Sequence, residues 1–271
     1  MATTRRSATK RTVEYPTSDG KPMAETDVHR KDMVDLIATL EDYFAADPRV
    51  YVSGNLLLFY EEGNRRKHVA PDVLVVRGVP KLPLRKYYLL WEEGRGPDLV
   101  IELTSKTTRR EDRDKKLVLY RDRLRVPEYF LFDPFEEYLK PSLQGYRLEA
   151  DQYVAIAWEA GRLPSAVLGL HLERRGSELR LYNPATGRCL PTPQERVAEE
   201  AAARHREVEA RQRAEADTHR EAEARRRAEE DMRREAEARR RAEEDRQQIE
   251  AENERLRREL AALQRRVSGE G

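Results

Sequence analysis

The stretch from 97 to 133, PDLVIELTSKTTRREDRDKKLVLYRDRLRVPEYFLFD, restricts the fold of this chain more than any other. It reads as a buried strand ending on an acid, a basic helix and a second buried strand. Leu99, Val100 and Ile101 form a short apolar run, and Glu102 then stands where such a strand would carry another aliphatic residue. A buried carboxylate without a partner is costly, so a residue of this kind is normally paired or bound to a metal. Pro71-Asp72 opens a similar run, VLVV at 73–76. Two strands with one acid each, followed by a helix carrying Lys115 and Lys116, are the parts of a metal-dependent phosphodiesterase site.

The elements around this unit follow from periodicity. Val28, Met33, Leu36, Ile37, Leu40, Tyr43 and Phe44 recur at helical spacing, which predicts an amphipathic helix from Thr26 to about Ala46. Thr26 is its expected N-cap and Asp47-Pro48 its end. Strands are expected over 50–59 and 69–76, joined through the turn at 61–64, and over 87–91. The central helix should run from about Arg109 to Leu124, with Leu117, Tyr120 and Leu124 as its buried stripe, before a strand at 128–132. Short alternating segments at 146–148, 153–158, 168–172 and 179–182 predict an antiparallel extension. The order αβββαβ plus short strands implies an α/β (α+β) domain, a mixed sheet flanked by helices.

Charge locates the boundary of that domain. The chain is 38% charged with mean hydropathy −0.89, too polar for one globule throughout. Residues 195–271 hold 20 Arg and no Lys against 22 acids, a net of −2, while 1–194 have a net of +3. Every Trp, Tyr and Phe precedes residue 183. The expected organisation is therefore a disordered basic arm over 1–22, a globular domain over 23–194 and a charged helix over 195–271. The single cysteine, Cys189, permits no intrachain disulfide, reads as a packed thiol and fits a reducing cytosol, hence a cytoplasmic protein. No apolar run approaches the ~18 residues of a membrane span, and the N-terminus has no apolar signal region.

In the tail, REAEARRRAEED recurs at 220–231 and 234–245. Glu221 with Arg225, Glu223 with Arg227, Glu229 with Arg233 and Glu235 with Arg239 are i, i+4 pairs, each worth ~0.2–0.5 kcal/mol on a helix. Towards the end, Ile249, Leu256 and Leu263 fall at heptad position d, with Asn253, Leu260 and Val267 at a. One Asn among apolar a positions favours a parallel two-stranded coil, so a homodimerising zipper is expected over about 249–267. The other reading is a lone charged helix.

PDV at 71–73, PDLVIELTS at 97–105, the Asp-Lys-Lys-Leu run with Tyr120, VPEYFLFDP at 126–134, LGLHL at 168–172 and LYNPATGRCL at 181–190 occur in this order. Together they resemble the Uma-type restriction endonuclease family of the PD-(D/E)xK nuclease superfamily, over about residues 23–195. The resemblance implies a restriction-endonuclease-like αβββαβ core and Mg²⁺-dependent hydrolysis of DNA, with Mn²⁺ as a substitute ion. It implies that Asp72, Glu102 and the carbonyl of Leu103 hold the ion. The superfamily places a lysine two positions after Glu102, where this chain has Thr104. In the Uma-type pattern that lysine moves to the next helix, which assigns the catalytic role to Lys116, with Lys115 and then Lys106 as substitutes.

Between 105 and 125 nine Lys and Arg face four acids, a local net of +5. Lys106, Arg109, Arg110, Arg113 and Lys115 are therefore expected to draw a polyanion toward the acids, with salt-dependent affinity. Nothing here reads a base sequence, and RNA stays open as a substrate. Blander readings stand beside these. Asp72 also fits a strand-opening residue bonded to backbone amides, Glu102 half of a structural ion pair, and Lys116 a solvated charge. Asp98 reads as a strand-edge residue, while Glu25 and His29, on one helix face, and His68 are weaker neighbours of the site. A chain that keeps the fold as a non-catalytic DNA-binding or assembly module is the alternative function.

Overall fold

The computed structural model describes residues 14–18, 26–105 and 111–267, without the side chains of 111–113 and 263–267. It divides into two units, Met1–Ala198 and Glu199–Gly271. The first is built on a six-stranded mixed sheet. Its strands are β1 (Val50–Ser53), β4 (Val73–Arg77), β6 (Leu99–Leu103), β7 (Glu128–Phe132), β8 (Leu143–Glu149) and β9 (Gln152–Ala155), adjacent in that order. Only β6 and β7 run parallel, and the helical segment 111–123 makes the crossover between them. Helix α1 (Asp27–Tyr43) precedes the sheet, so its first four strands and two helical elements have the predicted order αβββαβ.

Alternation along the strands separates two cores. Val73, Val75, Leu99, Ile101, Phe130 and Phe132 point to one face, where Leu36 and Leu40 of α1 pack on them. A second, four-stranded antiparallel sheet covers the same face: β10 (Leu163–Ser165), β11 (Leu170–Arg175), β12 (Glu178–Asn183) and β13 (Arg188–Cys189). Leu74, Val76, Val100, Tyr129 and Leu131 point the other way, against Tyr120 and Leu124 of the crossover. The expected antiparallel extension is thus two structures. Its first half, β8 and β9, lengthens the main sheet, and its second half folds over the α1 face.

The strand expected over 50–59 is broken in two. After Ser53 the chain leaves β4 at Gly54, and Leu58–Phe59 (β2) pairs instead with His68–Val69 (β3). Pro71, which has no N–H to give a ladder, separates β3 from β4. Tyr88–Leu89 (β5) completes this three-stranded sheet in parallel with β2, then turns into the short helix α2 (Leu90–Glu93), so the strand expected over 87–91 is only two residues long. Tyr15, in the segment expected as a disordered arm, is buried against Phe59, Tyr87 and Trp91.

Thr26 caps α1 as predicted, accepting from the His29 N–H at 3.2 Å. The tail helix α3 (Pro193–Val267) starts with a reciprocal cap. The Glu195 N–H donates to Thr192 Oγ1 at 3.3 Å, and the Thr192 N–H to Glu195 Oε2 at 2.8 Å. Beyond residue 198 every described side chain of α3 is exposed. Arg239 pairs back to Glu235 at 2.8 Å as expected, whereas Arg233 turns forward to Glu237 at 3.2 Å instead of back to Glu229. An exposed arginine with acids on both sides gains only ~0.3–0.5 kcal/mol from either, so sequence order does not choose between them.

Candidate active site

Strand register sets the relation between the two acids. In the antiparallel pair of β4 and β6, Val73 faces Ile101, so one step outward Asp72 stands across from Glu102. Glu102 shares its face with Val100, the face that Tyr120 covers. The pair is thus cross-strand, at the end of β6 from which the crossover departs.

Glu102 is wholly buried and has two donors from the crossover segment. Lys116 Nζ lies 2.9 Å from Oε2, with its side chain 16% exposed. Tyr120 Oη donates to Oε1 at 2.6 Å. Burial, then the neighbouring Glu102 charge, pushes the Tyr120 phenol well above its ordinary value, so it keeps its proton and stays a donor. The sequence places Tyr120 in the buried stripe but gives no sign of this bond.

Asp72 is 15% exposed on its side chain. Its Oδ2 accepts the Leu103 N–H at 2.7 Å, and its Oδ1 lies 3.5 Å from His29 Nε2 of α1. Burial acts to raise its pKa, but the hydrogen bond from His29, the Lys116 and His29 charges and the Leu103 N–H outweigh it and hold the carboxyl below its ordinary value. Asp72 is ionised at neutral pH. It also makes the backbone bond that the blander reading expected of it. His29, a weak expectation, is brought to the site by the start of α1.

The crossover that carries Lys116 is wider than an α-helix. Glu111–Lys116 and Leu119–Arg123 are π-helical turns around one α-helical step, and the Leu124 N–H reaches the Leu119 carbonyl, five residues back, at 3.0 Å. The predicted helix is correct in place and buried stripe and differs in pitch. Such turns are uncommon and concentrate at functional sites.

The remaining expected residues divide by position. Lys115 is exposed. Lys106, Arg109 and Arg110 lie outside the described residues, as do Glu25 and the side chain of Arg113. Thr104, at the superfamily's lysine position, is buried and hydrogen-bonded to the Tyr138 hydroxyl. Asp98 is structural, accepting the Arg77 N–H at 2.6 Å. His68 bonds the Arg65 carbonyl and packs on Phe59. Cys189 donates to Glu173 at 3.1 Å, and burial followed by that contact pushes its thiol up to about 11, so it keeps its proton at neutral pH. Ile249, Asn253, Leu256 and Leu260 are exposed on α3, while the side chains of Leu263 and Val267 lie outside the described residues.

Among the described residues no group of three or more His, Cys, Asp or Glu side chains is arranged to hold a metal ion. Two carboxylates on adjacent strands are nonetheless a hard oxygen donor set. Mg²⁺ takes one or two carboxylates and fills its remaining positions with water and phosphate oxygens, so the residues present fit it.

A mixed sheet in αβββαβ order, with one acid just before β4, another in β6 and a lysine reaching back from the following helix, is a restriction-endonuclease-like core. The chain belongs to the Uma2 family, described as "Putative restriction endonuclease", whose model matches residues 4–181. It is similar to a crystal structure described as "a putative nuclease belonging to DUF820" from Anabaena variabilis ATCC 29413. The two share 16% identity at a TM-score of 0.41, over 56% of this chain and 80% of the other. No curated protein shows a significant match. No helix among the described residues is long and apolar enough to cross a membrane.

Proposed function

We propose that this chain is a Mg²⁺-dependent DNA endonuclease, with Asp72 and Glu102 as metal ligands and Lys116 as the catalytic lysine. The observation that carries the reading is the buried Glu102, across the ladder from Asp72 and in contact with an ammonium group from the next helix. A carboxylate held at 0% exposure is unfavourable for stability alone, since an apolar residue of similar volume is often neutral or better there. When bound, Mg²⁺ (or Mn²⁺) supplies polarisation of the phosphate and a lowered pKa for a coordinated water. The chain's own groups do the rest. Asp72 is kept ionised, so it can bind a cation without first losing a proton. Lys116 offers a positive charge and three N–H donors, suited to orienting a water and offsetting charge that builds on phosphorus. Tyr120 and His29 hold the two carboxylates in place. Paired copies joined by the tail would bring two such sites to one duplex.

Incubation with supercoiled plasmid tests this. Nicking or linearisation in Mg²⁺, abolished by EDTA and lowered by about 10²-fold or more in Glu102→Gln, is the expected result. A second reading draws on a specific feature: both Glu102 oxygens already have donors, as in a structural ion pair. The chain would then be a non-catalytic DNA-binding or assembly module. Intact DNA binding without cleavage of DNA or RNA under any divalent ion would favour that module over the enzyme.

A further inference from the structure

The β2–β3 hairpin ends in Asn64-Arg65-Arg66-Lys67, with three consecutive cations that the motifs of the chain do not mark out. All three are exposed. Among the described residues none of the three side chains has a carboxylate partner. Elsewhere in the same unit, by contrast, Arg85, Arg147 and Arg180 are held by Glu93, Glu128 and Glu195.

The tip that presents them is a built structure. The Asn64 N–H donates to the Glu61 carbonyl and the Lys67 N–H to the Asn64 carbonyl, both at 3.2 Å, so two turns follow one another. Asn64 Oδ1 accepts the Arg66 N–H at 3.1 Å, and its Nδ2 donates to Glu61 Oε1 at 3.0 Å. That second bond engages one of the two nearby acids, leaving Glu62 as the exposed one. Gly63, at φ 81°, donates its N–H to the Tyr15 hydroxyl at 2.7 Å, and Tyr15 is itself buried on the small sheet. A surface loop held by this many bonds, with its charges unpaired, gains nothing for the fold from three adjacent like charges.

Its position links it to the acids. The Asn55 N–H donates to the Pro71 carbonyl at 2.8 Å, so the base of the hairpin closes one residue before Asp72. Lys67 precedes Asp72 by five residues of nearly extended chain, at most ~17 Å at ~3.3 Å per residue. Along a duplex that is about five base pairs at ~3.4 Å each. We infer that Arg65, Arg66 and Lys67 form a DNA-backbone clamp, with Lys67 on phosphates within about five base pairs of the Asp72–Glu102 pair. The clamp rests on the reading of the chain as a DNA enzyme and adds a grip from an element separate from the crossover helix. It positions the duplex without reading its sequence, because phosphate contacts carry none.

Binding measured apart from cleavage tests it. Full-length Glu102→Gln chain, in EDTA, is titrated into a fluorescent mixed-sequence duplex by anisotropy between about 50 and 200 mM salt. The same chain also carrying Arg65→Gln, Arg66→Gln and Lys67→Gln should bind about tenfold or more weakly. Its slope of log K against log salt should be shallower by ~0.9 for each phosphate that the variant no longer neutralises. Glu62→Gln alone, which removes the exposed acid of the tip, should strengthen binding. Unchanged affinity and slope in the triple variant, or no duplex binding by any of the chains, overturns the clamp. Failure of the nuclease reading would show separately, as an absence of plasmid nicking.

Discussion

Glu102 has no exposure to water, so its charge depends on the donors that reach it, Lys116 and Tyr120 among them. The acid was legible in the sequence because it interrupts an aliphatic run, and Lys116 through the family pattern. Tyr120 was legible only as an apolar position, since a phenol that packs and one that donates leave the same periodic mark. A second buried acid leaves no such mark. Asp32 of α1 is 3% exposed, and its Oδ2 has no hydrogen-bond partner among the described residues. Burial, then the Glu178 charge, pushes it up to about 7 from 3.8, with Asp35 adding and Lys31 and the Leu179 N–H opposing. Between about pH 4 and 7 the folded chain keeps this proton while the unfolded chain loses it, so Asp32 lowers stability progressively across that window and by a constant amount above it. Asp32→Asn should therefore be more stable than the parent at pH 8, by about 2–4 kcal/mol. The gap should close towards pH 4 in urea unfolding, and equal stabilities at pH 8 would show that Asp32 titrates normally.

At the level of elements, the site depends on where β1 leaves the sheet. A Cβ on Gly54 would lie 2.0 Å from the Asp72 carbonyl oxygen and 2.6 Å from Ile37 Cδ1. Only glycine lets the departing chain pass this close to the backbone of Asp72. Gly54→Ala should displace the 71–73 segment, costing about 1–3 kcal/mol of stability and most of any plasmid cleavage. Thermal melts and nicking assays check both, and a variant that melts and cuts like the parent would remove Gly54 from the account. The break at 54–57 is hidden in the sequence because Leu56, Leu57 and Leu58 continue the apolar run and conceal the change of sheet. The π-helical pitch of the crossover is hidden for a related reason: Leu117, Tyr120 and Leu124 mark a buried face without specifying the turns between them. The strands 99–103 and 128–132, by contrast, are buried along their whole length and stand where the apolar runs predict them.

For the whole molecule, the proposed pairing of two copies rests on the tail. Ile249, Leu256 and Leu260 are 60%, 54% and 59% exposed on α3, a cluster of apolar surface near the end of a helix rich in Arg and Glu. A seven-residue spacing of such groups is covered when two helices pair. Sedimentation of the full chain should give a dimer, and a chain stopped at residue 198 a monomer. Equal monomeric masses would reject the zipper.

Local pattern alone carries the αβββαβ order, the two acids at strand ends, the capped first helix and the long polar tail. Each of these depends on residue type and short-range spacing, which the chain displays directly. Which groups meet is settled only when the chain has folded. The alignment of Asp72 with Glu102, the approach of His29, the insertion of Tyr15 under a distant hairpin and the second sheet over α1 join remote parts of the chain. Strand register and burial fix such meetings, and neither is written in any single stretch of residues.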